Sequence, residues 1–445
     1  DLVKKMAERF TWIRSYLEHT DIATRENISK LIGVASKALP IEDLKMLVKD
    51  LNDTCEKGIL DESNSARVRY EAAHGSAVAL GYVVAQNIDK SELQEVAKDS
   101  VGLLWKILPN RKSTGGALKD PDIHAAVCMA IGRIGFVQPI SLEDGTWPDE
   151  QQKTEEIDEL TKCNLLHRLS HVQLEASEAK IVQAASISIG MLCGRDSSLS
   201  AHALPALLNL SGSKNEDVFF GVGEALAYIW GGAAGVLPIS PRIAIGSHFS
   251  SMYSSPELLA EEFEELADPY CLTVPTSTSQ IHGIILKGLF EQKLYDSRPL
   301  VRCAGCVWLF SLLRFMGKHE SLHGILTQCQ EAFSQLLGDQ NEVTLEIASR
   351  GTSMVYELGD DETQKELVSA LVGSLSGSAK KKRPIKLTDD TEIFVPGSLG
   401  ETPDGKGIST YKELCQVVTE MGKPDLIYRF MDLANHEAMI SSSRG

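Results

Sequence analysis

The sequence predicts an all-α protein built of antiparallel helix pairs stacked side by side. Three observations carry that reading. Apolar residues recur at helical spacing along most of the chain. One grammar of polar turn and apolar helix returns several times. Strand patterns are nearly absent from residues 1–370.

The repeating unit opens on Asp, Asn or Ser, followed by an apolar residue. A small residue or Arg comes about three positions later and an apolar–Gly pair about eight positions later. In order, the copies start at DIATRENISKLIGVA, SARVRYEAAHGSAVALGYV, DPDIHAAVCMAIGRIG, EAKIVQAASISIGMLC, NEDVFFGVGEALAYIW, DSRPLVRCAGCVWLFSLL and NEVTLEIASRGTSMVYEL. Their anchors Ile22, Val68, Ile123, Ile181, Val218, Val301 and Val343 lie 46, 55, 58, 37, 83 and 42 residues apart. HEAT and armadillo units repeat every ~40–47 residues, so wider gaps read as units with inserts and the widest as nearly two units. A second amphipathic stretch precedes the copies, as in IEDLKMLVKDLNDTC from Ile41, LQEVAKDSVGLLWKIL from Leu93, LPALLNLSG from Leu204 and IHGIILKGLF from Ile281. The expected fold is therefore a HEAT/ARM-type α-solenoid, with small residues letting the two helices of a pair approach closely. The Asp-to-Arg habit of the turns (Asp21 with Arg25, Asp296 with Arg302) suggests an acid that caps a helix and an Arg that bridges to the neighbouring turn.

Composition narrows the class. The 445 residues carry 44 basic and 61 acidic side chains, a formal net charge of −17, and 43% of them are hydrophobic. That apolar content supports a core and excludes global disorder. The acidic balance argues against a nucleic-acid groove, which needs clustered cations. No run of ~18 apolar residues suits a membrane span. The nine cysteines are odd in number and sit mostly in apolar helical patterns, which fits reduced thiols of the cytosol or nucleus. The chain opens on Asp1 inside a helical pattern and closes on SSSRG, which reads as a piece of a longer protein.

Three stretches break the array. Residues 141–160 read as a Gly/Pro turn and an acidic helix start. Residues 232–280 form a Pro/Ser/Gly-rich insert with an acidic amphipathic helix, Pro256 to Ala267, and divide HEAT repeats over 1–231 from HEAT repeats over 281–373. Residues 374–410 hold a basic run, Lys380, Lys381, Lys382 and Arg383, then a short β-hairpin in which PIKL and TEIFV flank Asp389-Asp390. The run can be a nuclear signal, a patch for an acidic partner or a solvated linker. A further HEAT pair starts over 411–445. Long inserts in a solenoid often carry contacts, so Glu261, Glu262, Glu264, Glu265 and Lys380 to Arg383 are the candidate partner-contact residues.

No catalytic, cofactor-binding or metal site is expected. HESLH at His319–His323 matches the H-E-x-x-H zinc pattern, but it opens straight after Gly317 and Lys318, and Leu326 and Cys329 stand where a metzincin needs Gly and His. The zinc-hydrolase reading is thus a remote alternative. CAGC at Cys303–Cys306 lies inside an apolar helix, where a redox thiol needs a helix N-terminus. GVGEA at Gly221–Ala225 lacks the strand and third Gly of a dinucleotide loop. His167 and His171 are four apart with no evident third ligand.

The end of the chain carries a landmark. TPDGKGISTYKELC (402–415) and PDLIYRFMDLANHEAM (424–439) closely resemble the family of large HEAT-repeat adaptor and scaffold proteins associated with the proteasome, the Ecm-type family. The resemblance is strongest over 390–445; upstream it rests on the HEAT grammar and the placement of the basic linker and hairpin. It implies a central fragment of a non-enzymatic scaffold that binds the regulatory and core particles together, stabilises or tethers them, and links them to transport or membrane-tethering proteins. It implies a cytoplasmic and nuclear setting. A HEAT-repeat transport receptor or phosphatase-type scaffold is the alternative.

Overall fold

The computed structural model describes residues 5, 8–60, 67–87, 90–108, 120–137, 142–148, 157, 159–235, 276–317 and 320–367. Every regular element among them is a helix, so the all-α expectation holds for the described residues. They fall into two compact units, 1–285 and 286–445.

In the first unit the order is α1 (Phe10–Ser15), α2 (Ile22–Ser36), α3 (Ile41–Cys55), α4 (Arg67–Gln86), α5 (Gln94–Ile107), α6 (Pro121–Val137), α7 (Lys162–Glu175), α8 (Ala179–Arg195), α9 (Ser200–Asn209), α10 (Asp217–Gly235) and α11 (Thr276–Lys287), within which the boundary falls. The caps are those the turns foretell. Asp21 accepts from the Thr24 N–H at 2.8 Å and Thr161 from the Asn164 N–H at 3.2 Å.

Two layers result. Helices α2, α4, α6, α8 and α10 form one row, each packed on the next, while α3, α5, α7 and α9 each lie against the row helix that follows. The layers differ in composition for that reason. Helix α3 buries Leu44, Leu47, Val48, Leu51 and Cys55, a single stripe, and leaves its other face to solvent. Helix α8 is covered on all sides and buries Ile181, Val182, Ile187, Ile189 and Leu192 around its whole girth. Each such aliphatic side chain contributes roughly 1.5–3 kcal/mol on burial.

The row helices run parallel. Along α2 and α4, Ser29 meets Gly75 and Ser36 meets Asn87 further on. Along α6 and α8, Asp122 meets Lys180 and Gly132 meets Ser188. Two successive parallel helices need a return segment, and the second-layer helix supplies it. Every anchor of the first unit, Ile22, Val68, Ile123, Ile181 and Val218, falls in a row helix.

Small residues that follow the anchors play a different part from the one the sequence suggests. Gly81 and Gly132 seat one row helix on the next rather than bring the two helices of a pair together. A Cβ added at Gly81 would stand 2.8 Å from the Cα of Ala130, and one at Gly132 would stand 2.8 Å from the Cα of Ser188. The two backbones there leave no room for a side chain.

Residues 142–148 are tied to the start of α7 although 143–146 are exposed. The carbonyls of Glu143 and Asp144 accept from the N–H groups of Lys162 and Cys163, which start α7, at 3.0 and 3.1 Å. Gly145 turns the chain there at φ 70°, where a Cβ would also strike Thr161. Trp147 lies flat on His202 with ring centroids 4.4 Å apart. Helix α7 starts at Lys162 with Thr161 as its cap; most of the acidic stretch expected to open a helix lies outside the described residues.

The second unit contains α12 (Pro299–Met316), α13 (Glu320–His323), α14 (Leu326–Leu336) and α15 (Glu342–Leu358). Helices α12 and α15 again run parallel, with Arg302 on Asp339 and Cys306 near Thr344, and α14 packs on α15. Helix α12 is long and apolar enough to cross a membrane, yet 89% of it is buried, so it is a core helix.

Helix α10 continues through Gly235 and α11 begins at Thr276, so regular helix enters both ends of the stretch 232–280 expected to be irregular. The 374–410 hairpin, the pair over 411–445, the Pro256–Ala267 helix and the 402–439 landmark lie outside the described residues.

Candidate functional site

Each row helix turns a stripe spaced three or four residues apart away from the second layer. Glu26 and Lys30 come from α2; His74, Val78 and Tyr82 from α4; Asp122, Ala126, Met129 and Arg133 from α6. Lys180, Gln183 and Ile187 come from α8, and Asp217, Phe220 and Glu224 from α10. Together they line one groove of about 280 Å³ that crosses all five helices.

Its walls are apolar and its charges are placed. At one end Lys180 pairs with Asp122, and Gln183 donates to the Asp217 carbonyl. On α4, His74 accepts from the Arg25 Nε at 3.1 Å, while Arg25 also donates to the His19 carbonyl at 2.6 Å. Burial first, then the Arg25 charge, pushes the His74 imidazole down to about 4, so it stays neutral. At the centre the Arg133 guanidinium lies over the Tyr82 ring, 4.2 Å from its centroid. Burial holds the Lys30 ammonium below its usual value; Glu26 pulls it back up, and Arg133 adds a smaller push down. The groove can hold a side chain or a strand of peptide; it offers no nucleophile with a base beside it.

Sequence reading missed this groove, although it quoted every segment that builds it. The signal was a charged residue inside an otherwise apolar copy, such as Arg133 in AIGRIG and Glu224 in GVGEAL. Only the parallel register brings those positions to one face.

The residues singled out in advance fare differently. Glu261, Glu262, Glu264, Glu265, Lys380, Lys381, Lys382 and Arg383 lie outside the described residues. Of HESLH, His319 also does; Glu320–His323 form a single turn, with Leu322 buried and His323 exposed. Among the described residues no group of three His, Cys, Asp or Glu is arranged to hold a metal ion. Cys303 and Cys306 are buried in mid-α12, and burial pushes the Cys306 thiol well up, the reverse of a reactive pair. Gly221 stands inside α10, where a Cβ would meet the Gln183 backbone, so GVGEA is a helix-packing site. His167 and His171 have ring centroids 4.7 Å apart, and Trp147 meets His167 edge-on at 5.4 Å. Burial, then the His171 charge, brings His167 down to about 4.

The first unit is thus an all-α stack of two helix layers with a charged groove along its row. No family model matches the chain. The chain is 27% identical over its whole length to 22% of the human "Proteasome adapter and scaffold protein ECM29". Over 34% of its length it is 39% identical to 8% of the Drosophila melanogaster "Proteasome-associated protein ECM29 homolog". Over 82% of its length it is 26% identical to 18% of the Saccharomyces cerevisiae "Proteasome component ECM29". It spans about a fifth of the human and yeast proteins. The chain is thus homologous to the Ecm29 proteins, the resemblance that its C-terminal landmark carries.

Proposed function

We propose that this chain is a stretch of a non-enzymatic HEAT-type scaffold that binds the proteasome and holds its regulatory and core particles together. The observation that supports it is similarity along the entire chain to a protein named a proteasome adapter and scaffold. The parallel row and its return helices fit the HEAT unit, in which each pair leans only on its neighbours. The short β-hairpin of 374–410 belongs to the same reading, as do a cytoplasmic and nuclear location and links to transport or membrane-tethering proteins.

Contact with the proteasome is assigned to the acidic insert carrying Glu261, Glu262, Glu264 and Glu265 and to the basic run Lys380–Arg383. Complementary charge there would speed encounter more than it tightens the complex. The test is affinity capture of the tagged chain from cell extract, followed by mass spectrometry. Proteasome subunits should be recovered, and replacing 236–275 or 374–410 by a short Gly/Ser linker should lower recovery, more so at high salt, while circular dichroism keeps its helical signal. Recovery of transport or phosphatase subunits in place of the proteasome would overturn the assignment. Undiminished recovery with both linkers would move contact to the helical faces.

A further inference from the structure

We propose that Trp147, His167 and His202 form an acid-sensitive latch, in which a proton taken up by His167 frees the turn 142–148 from α7 and α9. This goes beyond the proteasome reading and does not depend on it. The turn is held at two places. The Glu143 and Asp144 carbonyls accept from the first N–H groups of α7. The Trp147 ring lies flat on His202 of α9, 3° from parallel, and meets His167 of α7 edge-on. His171, one turn along α7, packs on His167 in its turn. Three imidazoles thus gather around the indole that pins the turn.

The three are not equivalent. His202 is exposed, and its imidazolium would sit on an indole face, where a cation is attracted. A proton there tightens the stack. His167 is only 7% exposed, and its Nδ1 is buried with no hydrogen-bond partner among the described residues. An imidazolium donates from both ring nitrogens. Charging His167 in place would therefore bury an N–H with no acceptor.

The surroundings do not offset that cost. The charges acting on His167 are those of His171 and Arg168 on its own helix, and both are cationic. Arg168 is itself committed to the Trp105 and Ile157 carbonyls. In the turn, Asp144 is held by Lys162, which also reaches Asp196, and Glu143 is exposed. From α8 the group bonded to this stretch of α7 is the neutral Ser186, which binds Gln173. Seated, His167 takes up its proton only near pH 4, against 6.5 for an ordinary histidine. The released state therefore binds protons more tightly. The latch is at full strength above about pH 6.5 and weakens as pH falls towards 4.

The experiment is hydrogen exchange of the full chain at about pH 7 and about pH 5, corrected for the intrinsic pH dependence of the chemistry. Peptides covering Lys162 and Cys163, whose N–H groups hold the turn, should lose protection on the order of tenfold at the lower pH. Peptides of α10 in the same unit should not. His167→Gln, which cannot take the proton, should abolish the loss, whereas His74→Gln should leave it in place. Unchanged protection at Lys162 and Cys163, an equal loss in α10, or a loss that persists in folded His167→Gln would overturn the proposal. Should His167→Gln fail to fold by circular dichroism, His171→Gln and His202→Phe decide. A loss that survives both leaves His167 as the site of the proton; a loss abolished by either puts the proton elsewhere and overturns the proposal.

Discussion

Arg302 shows how a single residue ties two turns together. Its Nε donates to the Asp339 carboxylate at 2.6 Å, and its Nη1 donates to the carbonyls of Asp296 and Ser297 at 2.8 and 2.9 Å. Both side chains of the pair are almost fully buried, at 9% and 2% exposure. Removing one member strands the other charge without solvent. Arg302→Leu should therefore cost about 3–5 kcal/mol in urea unfolding, while Arg302→Met combined with Asp339→Leu should recover most of it. The sequence supplied half of this arrangement. It pointed to Asp296 and Arg302 as a linked pair and to a bridge onto the next turn. The bridge exists, but the carboxylate is Asp339, and Asp296 instead binds Arg298, whose hydrogen bonds bring its carboxyl down to about 2. In the first unit the same place is filled by His74, a substitution invisible to any acid–base pattern.

Among the elements, the row helices are set by backbone contact and the second layer by apolar stripes. The two kinds of glycine in the chain separate these effects. Gly132→Ala puts a Cβ against the Ser188 backbone and should lower stability by roughly 1–3 kcal/mol, as overpacking does. Gly283→Ala in α11 meets nothing within 4 Å and should raise stability by about 0.5–1 kcal/mol through helix propensity and a less flexible unfolded chain. Equal midpoint shifts of the same sign in the two variants would refute the contact model of the row. Element positions were largely readable because anchors and amphipathic stripes have fixed periods; α3 begins at Ile41, where its pattern starts. Helix α7 was harder to read, since its buried Cys163, Leu165, Leu166 and Leu169 are interleaved with Asn164, His167, Arg168 and Ser170. There Arg168 buries its charge against the Trp105 ring at 3.3 Å and donates to the Trp105 and Ile157 carbonyls.

At the scale of the molecule, stability is a sum of local terms. Each helix pair of the first unit leans on its neighbours, and the described residues divide into two compact units. Neighbour-only coupling lets segments open before the whole does. Calorimetric unfolding of the chain should accordingly give a measured enthalpy well above the van't Hoff enthalpy, with ellipticity and tryptophan fluorescence falling at different urea concentrations. A single coincident transition with equal enthalpies would mean one cooperative core. The repeat period made the modular plan legible from sequence, because it is written in residue spacing. The unit boundary at 285 falls within α11, a few residues after position 281, where the second run of repeats is read from the sequence.

The distribution of thiols has a practical consequence. Cys55, Cys128, Cys193, Cys303, Cys306 and Cys329 are unbonded and sealed in α3, α6, α8, α12 and α14, and burial raises Cys55, Cys128 and Cys329 to about 12. A sulfur so placed can meet an alkylating reagent only after its own helix has opened. The native chain thus carries its own set of timers, one in most helix pairs. Peptide-resolved alkylation over time would record the order in which the stack comes apart.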